Sequence, residues 1–403
     1  MPGHEDWLTM EFLEEVLRQI VGDPKLTVTR GDVKAAVAAG ENFGSVLYRA
    51  TTEYTLSKRR TTQTYTLIIK TLPCDGIIRQ MLELRKFFTK EIFMYRYTIP
   101  EMYETMQKYL SPGTSVEPIA PKEYPCSLEN TIVLEDLRIL GYKVADRRKG
   151  LNLEHCLVVM KQLAVFHAMS FALYKRNPQI MFNFQENMYT EDNRHAVKGT
   201  IEPGLKVAAE VVETWEGFER FGSKIRKLAE TAVDRLLELI KPEKDKFQVL
   251  NHGDLWVNNI LFQYSFTTGE VMTARFIDFQ MSRFVSPALD LQYFLHTSPC
   301  EVVRTRCVDQ LLQCYHSKLD ETLRTLKCEA DIISLEQLTS DMNDKDFVGL
   351  LTSLTVLHIV LADKNALKPA STVDISLRNM YSAPRYKQAL QKVLIHYEEK
   401  GMI

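Results

Sequence analysis

The run His252-Gly253-Asp254-Leu255-Trp256-Val257-Asn258-Asn259, followed 24 positions after Asp254 by Ile277-Asp278-Phe279, constrains this chain more than any other feature. Moving a phosphoryl group from ATP to an alcohol needs one carboxylate that orients the hydroxyl and takes its proton, and oxygen ligands that hold magnesium against the phosphates. Asp254 can supply the first, and Asn259 and Asp278 the second. A loop can set Asp254 and Asn259 on one side of a cleft while a neighbouring strand delivers Asp278. Gly, Asp and Asn also serve ordinary chain reversals, but a turn needs no second acidic element at such a distance. Trp256 reads as packing on the surrounding core rather than as a substrate contact.

Upstream, Thr64-Tyr65-Thr66-Leu67-Ile68-Ile69-Lys70 alternates so that Lys70 shares a strand face with Ile68 and Thr66. A lysine there needs a partner. In the helical pattern over residues 81–97, Leu84, Phe87, Phe88 and Glu91 fall at i, i+3, i+4 and i+7, which puts one carboxylate on the apolar stripe. A Lys70–Glu91 ion pair satisfies both charges and aims the ammonium at the α- and β-phosphates. The loop Gly40-Glu41-Asn42-Phe43-Gly44-Ser45 could cover phosphates with backbone N–H groups and the Ser45 hydroxyl, although it lacks the G-x-G-x-x-G spacing. Val133-Leu134-Glu135-Asp136-Leu137 ends a strand where main-chain groups could meet an adenine edge.

At 403 residues the chain exceeds the usual size of one core, so two lobes are expected. Residues 26–72 read as two strands joined by the glycine loop, with a third at 64–72, and residues 130–137 as a further strand after the helix. Beyond 137 the patterns are mainly helical, over 153–173, 221–240, 302–326, 346–361 and 384–400, except for a β-rich stretch at 247–278. The expected division is 1–137, a nucleotide-binding lobe led by an amphipathic helix over 7–20, and 138–403, a catalytic and acceptor-binding lobe. Fifty basic against 52 acidic residues give a net charge of −2, which offers no field for nucleic acid or anionic lipid. Seven scattered cysteines with no C-x-x-C pair, and no signal peptide or run of about 18 apolar residues, predict a cytosolic protein.

Taken together, GENFGS at 40–45, Lys70, FTKEIFMY at 88–95, VLEDL at 133–137, LAVFHA at 163–168, HGDLWVNNI at 252–260, IDFQ at 277–280 and PALDL at 287–291 resemble the ecdysteroid kinase-like proteins of arthropods. These sit within the choline/ethanolamine kinase and aminoglycoside phosphotransferase class. The resemblance covers nearly the full length. It implies an α+β, bilobal protein-kinase-like fold, with a small antiparallel β-sheet lobe and a larger mainly helical lobe. It also implies an ATP- and magnesium-dependent kinase of ecdysteroids or related foreign alcohols and phenols. By the same resemblance Asp254 is the catalytic base and Asn259 and Asp278 are metal ligands. Lys70 and Glu91 become the phosphate-gripping pair, Asn42, Gly44 and Ser45 loop contacts to phosphate, Glu135 and Leu137 nucleotide contacts, and Asp290 a brace for the catalytic loop. Asp-Phe-Gln in place of Asp-Phe-Gly, and the lack of an activation segment between Asp278 and Pro287, argue against a protein substrate.

Two other functions compete. A catalytically silent binder of hydrophobic ligands would be expected to lack one of Lys70, Asp254, Asn259 or Asp278, and all four are present. A choline- or aminoglycoside-type kinase needs an acidic or aromatic cage for its cationic acceptor. The stretch 181–221, expected to build the acceptor wall, carries Met181, Phe182, Phe184, Met188, Tyr189, Trp215, Phe218 and Phe221 against Glu186, Glu191 and Asp192. That apolar excess favours a bulky, weakly polar alcohol. His167, on a helix beside Leu163, Phe166 and Phe171, reads as a hydrogen-bonded core residue.

Overall fold

The computed structural model describes residues 7–37, 45–57, 59–73, 86–185, 189–243, 246–363 and 373–403. Asn42 and Gly44 with the rest of the glycine loop before Ser45, the helical pattern at 81–85 including Leu84, and Glu186 and Met188 lie outside the described residues. The chain divides into two compact units. One comprises Met1–Pro100 with Ala120–Lys143, the other Glu101–Ile119 with Val144–Ile403. The contact boundary therefore falls at 143/144, where the sequence pattern put it at 137/138, and residues 101–119 group with the larger unit.

The smaller unit opens with α1 (Met10–Val21), capped by the Thr9 hydroxyl on the Phe12 N–H. Strands β1 (Thr27–Ala35), β2 (Val46–Leu56) and β3 (Arg59–Thr71) follow, then α2 (Phe87–Phe93). A π-helical turn at Met94–Thr98 leads into α3 (Ile99–Gln107). β4 (Glu123–Tyr124) and β5 (Thr131–Glu135) complete an antiparallel sheet in the order β1-β2-β3-β5-β4. Alternation decides its faces. Leu67 and Ile69 of β3, with Ala50 and Tyr54 of β2 and Val133 of β5, meet Phe12, Leu13, Val16 and Leu17 of α1 in one core. Lys70 falls on the opposite face.

The larger unit is built on α4 (Leu153–Arg176), α5 (Arg194–Glu213) and α6 (Glu219–Leu239). A short β region follows: β6 (Val249–Asn251), β7 (Ile260–Tyr264), β8 (Val271–Phe276) and β9 (Arg283–Val285). The remaining helices are α7 (Ala288–Thr297), α8 (Glu301–Arg306), α9 (Val308–Thr325), α10 (Leu335–Asp344), α11 (Asp346–Thr355), α12 (Leu357–Leu361), α13 (Val373–Tyr381) and α14 (Pro384–Glu399). The expected absence of a run of about 18 apolar residues holds in α4, where Lys161, Gln162, His167 and Ser170 interrupt the apolar residues, although the helix is long and apolar enough on average to cross a membrane. Of its most apolar 18 residues 78% are buried, the condition of a core helix.

Candidate active site

β7 and β8 form an antiparallel hairpin in which Ile260 pairs with Phe276. The residue before β7 is Asn259 and the residue after β8 is Ile277, whose N–H donates to the Asn259 carbonyl at 3.0 Å. The 24-position spacing is therefore a hairpin that brings Asn259 and Asp278 to one end. Asp278 holds φ 68° and ψ 65°, a left-handed conformation that costs a residue with a Cβ about 1 kcal/mol or more. Gly253, at φ 83°, has no substitute: a Cβ there would lie 2.1 Å from the Met281 carbonyl oxygen.

Asp290, in the first turn of α7, fixes the loop ahead of Asp254. Its carboxylate accepts the His252 N–H at 2.6 Å, the Gly253 N–H at 2.8 Å and the His167 Nε2–H at 3.2 Å. Its own N–H donates to Asn251 Oδ1 at 3.1 Å. His167 Nδ1 meets the Tyr315 hydroxyl at 2.8 Å, so this fully buried histidine is a hydrogen-bonded core residue. His252 Nε2 donates to the Ile277 carbonyl at 2.9 Å while Nδ1 accepts the Asp254 N–H, the pattern of a neutral ring. Burial lowers the pKa of both histidines, in keeping with that assignment.

The Asp254 carboxylate is held from both sides. Tyr293, one turn beyond Asp290 on α7, donates to Oδ1 at 2.5 Å, and Asn259 Nδ2 donates to Oδ2 at 3.0 Å and to the Asp254 carbonyl at 2.9 Å. Burial pushes the Asp254 pKa up to about 7; the Tyr293 and Asn259 donors oppose the rise and the charges of Asp278 and Asp290 add to it. Tyr293 and Asn251 were missed from sequence. Asn251 directly precedes the motif, and Tyr293 lies 39 residues away with no local signal. With Nδ2 committed to Asp254, the Asn259 amide keeps its oxygen as a ligand atom, and Asp278 adds a carboxylate. No group of three or more His, Cys, Asp or Glu suited to a metal occurs among the described residues. One amide oxygen and one carboxylate fit magnesium, which takes one or two such ligands and fills its sphere with phosphates and water.

In the smaller unit, Lys70 Nζ lies 2.8 Å from Glu91 Oε1 and 2.7 Å from Oε2, with side chains 6% and 1% exposed. The register that pairs Lys70 with Leu47 on one side and Ile132 on the other turns it away from the core face, where α2 supplies the carboxylate. Ser45 directly precedes β2. The Glu135 N–H is taken by the Lys122 carbonyl at 2.8 Å, and the Leu137 carbonyl by the N–H groups of Leu140 and Tyr142, both at 3.1 Å. Asp136 pairs with Arg49 at 2.8 Å. The two groups of site residues thus fall in different units: Lys70, Glu91, Ser45, Glu135 and Leu137 in the smaller, Asp254, Asn259 and Asp278 in the larger.

The acceptor-wall expectation is partly corrected. Met181, Phe184, Trp215 and Phe221 are core residues, while Phe182 is exposed. α5 and α6 draw most of this stretch into helices whose apolar faces turn inward. Tyr189 does lie near the site: after burial and Asp254 itself, it contributes to raising the Tyr293 pKa.

No curated protein matches the chain. Among solved structures it is similar to an ethanolamine kinase of Plasmodium vivax, at 14% identity over 89% of this chain and 84% of the other, with a TM-score of 0.41. A choline kinase, LicA, of Streptococcus pneumoniae matches at 12% identity over 94% and 98%, with a TM-score of 0.36. A thermostable mutant of the aminoglycoside phosphotransferase APH(4)-Ia matches at 12% over 94% and 98%, with a TM-score of 0.33. Scores this low carry no argument about activity. The sequence profile of the ecdysteroid kinase-like family matches residues 39–328, well over half of the chain and the span that holds Lys70, Asp254, Asn259 and Asp278. The chain belongs to the ecdysteroid kinase-like family.

Proposed function

We propose that this protein transfers the γ-phosphoryl group of ATP, with magnesium, to a hydroxyl of an ecdysteroid or of a related bulky alcohol or phenol. The observation that carries the reading is the Asp254 carboxyl: fixed by Tyr293 and Asn259, on a loop clamped by Asp290, and raised to a pKa of about 7 by burial. A general base works best with its pKa near the working pH. Asp254 takes the proton of the acceptor hydroxyl as that oxygen bonds to the γ-phosphorus and the bond from phosphorus to the bridging oxygen of ADP breaks. Lys70, held by Glu91, grips the α- and β-phosphates. The Leu137 N–H, which makes no hydrogen bond among the described residues, is the main-chain donor we assign to the adenine edge. Magnesium, when bound, neutralises triphosphate charge, and Asn259 Oδ1 and Asp278 are the ligands for it. Family membership supports the ecdysteroid-type acceptor. The free state of every described cysteine supports a cytosolic setting.

The test is ADP release from purified protein with ATP and magnesium over a panel of ecdysteroids, plant phenols, glycosides and choline. Acceptor-dependent turnover with a steroid or phenol, reduced about a thousandfold in Asp254→Asn, is the expected result. Turnover with choline alone would move the acceptor to the cationic class. If no acceptor turns over and ATP with magnesium does not raise the melting temperature, the kinase reading fails.

A further inference from the structure

The larger unit holds a cavity of about 730 Å³ whose lining includes none of Asp254, Asn259 and Asp278. Its walls come from the C-terminal half of α7, from α8 and from α14, together with residues 147–150. Eight lysines and arginines line it against three acidic residues. In a chain of net charge −2 that excess is local, not compositional. Most of the cations are already occupied. Lys392 holds Glu301, Lys400 holds Asp346, Arg148 and Arg385 reach Asp363 at 3.5 and 3.7 Å, and Arg147 donates to the carbonyls of Ile359 and Val360. Lys149, Arg304 and Arg306 remain with no ion pair among the described residues, and Asp309 is the one lining carboxylate in the same condition.

Arg304 is the centre of this set. Its Nη2 donates to the Pro299 carbonyl at 3.0 Å, while its Nε is shielded from solvent and has no hydrogen-bond partner. Burial lowers its pKa to about 10. Arg304 as a residue is half-buried, a sealed Nε without an acceptor is costly, and the backbone around it is built to hold it there. The Leu151 N–H donates to the Ser298 carbonyl and the Cys300 N–H to the Leu151 carbonyl, both at 2.8 Å. Gly150, at φ 69°, lies so close that a Cβ would meet the Cys300 backbone at 2.7 Å. The Arg304 N–H in turn bonds the Cys300 carbonyl at 3.0 Å. Lys149 and Arg304 are thereby anchored to the same short stretch of backbone.

We propose that this cavity binds a phosphate group, free or as the ester of a small molecule, with Arg304, Lys149 and Arg306 as its cationic contacts. With eight cations against three carboxylates, and three of the cations outside any ion pair among the described residues, the lining carries a positive excess that favours a phosphate. A guanidinium presents the forked donors that phosphate oxygens accept in pairs, and the volume lies in the range of small-molecule sites. The site stands whether or not the kinase reading holds.

Calorimetric titration of the full chain with inorganic phosphate and with glycerol phosphate, at an ionic strength fixed with sodium chloride, tests the site. The wild type is expected to bind, and Arg304→Gln to weaken binding at least tenfold. Lys149 and Arg306 are exposed, so Lys149→Gln/Arg306→Gln folds normally and is expected to weaken binding at least fivefold, which keeps the test decisive if Arg304→Gln does not fold. Tighter binding of the ester assigns a small-molecule source, and equal binding the free ion. No binding beyond chloride, or equal affinities in wild type and the double variant, overturns the proposal.

Discussion

Asp254 is poised between opposing neighbours. Burial and the charges of Asp278 and Asp290 favour its protonated form; the Tyr293 and Asn259 donors favour the carboxylate. The net folded-state pKa of about 7 lies above the unfolded value near 4. Between those pH values the folded state binds more protons than the unfolded one, so stability falls as pH rises and the full cost, on the order of 4 kcal/mol, is present above pH 7. In metal-free protein, Asp254→Asn is therefore expected to melt a few degrees above wild type at pH 8 and level with it at pH 4, as read by scanning calorimetry. Tyr293→Phe removes a donor to the ionised form. The carboxyl pKa of metal-free protein should then move above 7, with turnover about tenfold lower and its rise with pH displaced to the alkaline side. A fall in turnover with no displacement would make Tyr293 a packing residue only.

At the scale of elements, β3 and α2 are joined by the Lys70–Glu91 ion pair. Removing one partner of a buried pair leaves an uncompensated charge and costs about 3–5 kcal/mol, whereas replacing both by apolar groups costs far less. Lys70→Met and Glu91→Gln should each lower the urea midpoint strongly, and Lys70→Met/Glu91→Leu should recover most of the loss without recovering nucleotide binding. Additive single effects in the double variant would show the pair to be uncoupled. Elements were unequally legible. The Lys70 strand and the α2 stripe were readable because periods of 2 and 3.6 are local. The patterns over 302–326 and 346–361 read as single helices, yet the chain breaks at Cys307 and Val356. Apolar spacing states which face is buried, not whether each backbone hydrogen bond continues. α5 escaped notice because Gly199, Pro203 and Gly204 interrupt its pattern.

Over the whole molecule, buried histidines contribute to the response to acid. His167 and His252 are lowered by burial, His296 falls to about 4 and His358 to about 3. Because these folded values lie below the unfolded one near 6.5, their stability contribution is complete above that pH and is lost as pH falls toward 4 and 3. His358, 2% exposed and packed on Tyr381 at 4.3 Å and Tyr386 at 5.9 Å, has an Nδ1 with no partner among the described residues. His358→Phe is expected to raise the melting temperature at pH 7 and to widen its lead down to pH 5. A lead that stays constant over that range would remove His358 from the acid response.

The amino-acid sequence alone determined the β-then-helical order of the chain, the likeness to ecdysteroid kinase-like proteins and the choice of Asp254, Asn259, Asp278, Lys70 and Glu91 as candidate site residues. Each of these is written in neighbouring residues or in a fixed spacing. Tertiary structure decided what holds and tunes them: the Asp290 clamp on the His252 and Gly253 amides, the Tyr293 hydrogen bond that reaches Asp254 across 39 residues, and the withdrawal of Phe184, Trp215 and Phe221 into the core. It also gathered Lys149, Arg304 and Arg306 around one cavity. Such contacts depend on where separate helices pack, and packing is settled by the burial of whole faces, which no local run of residues encodes.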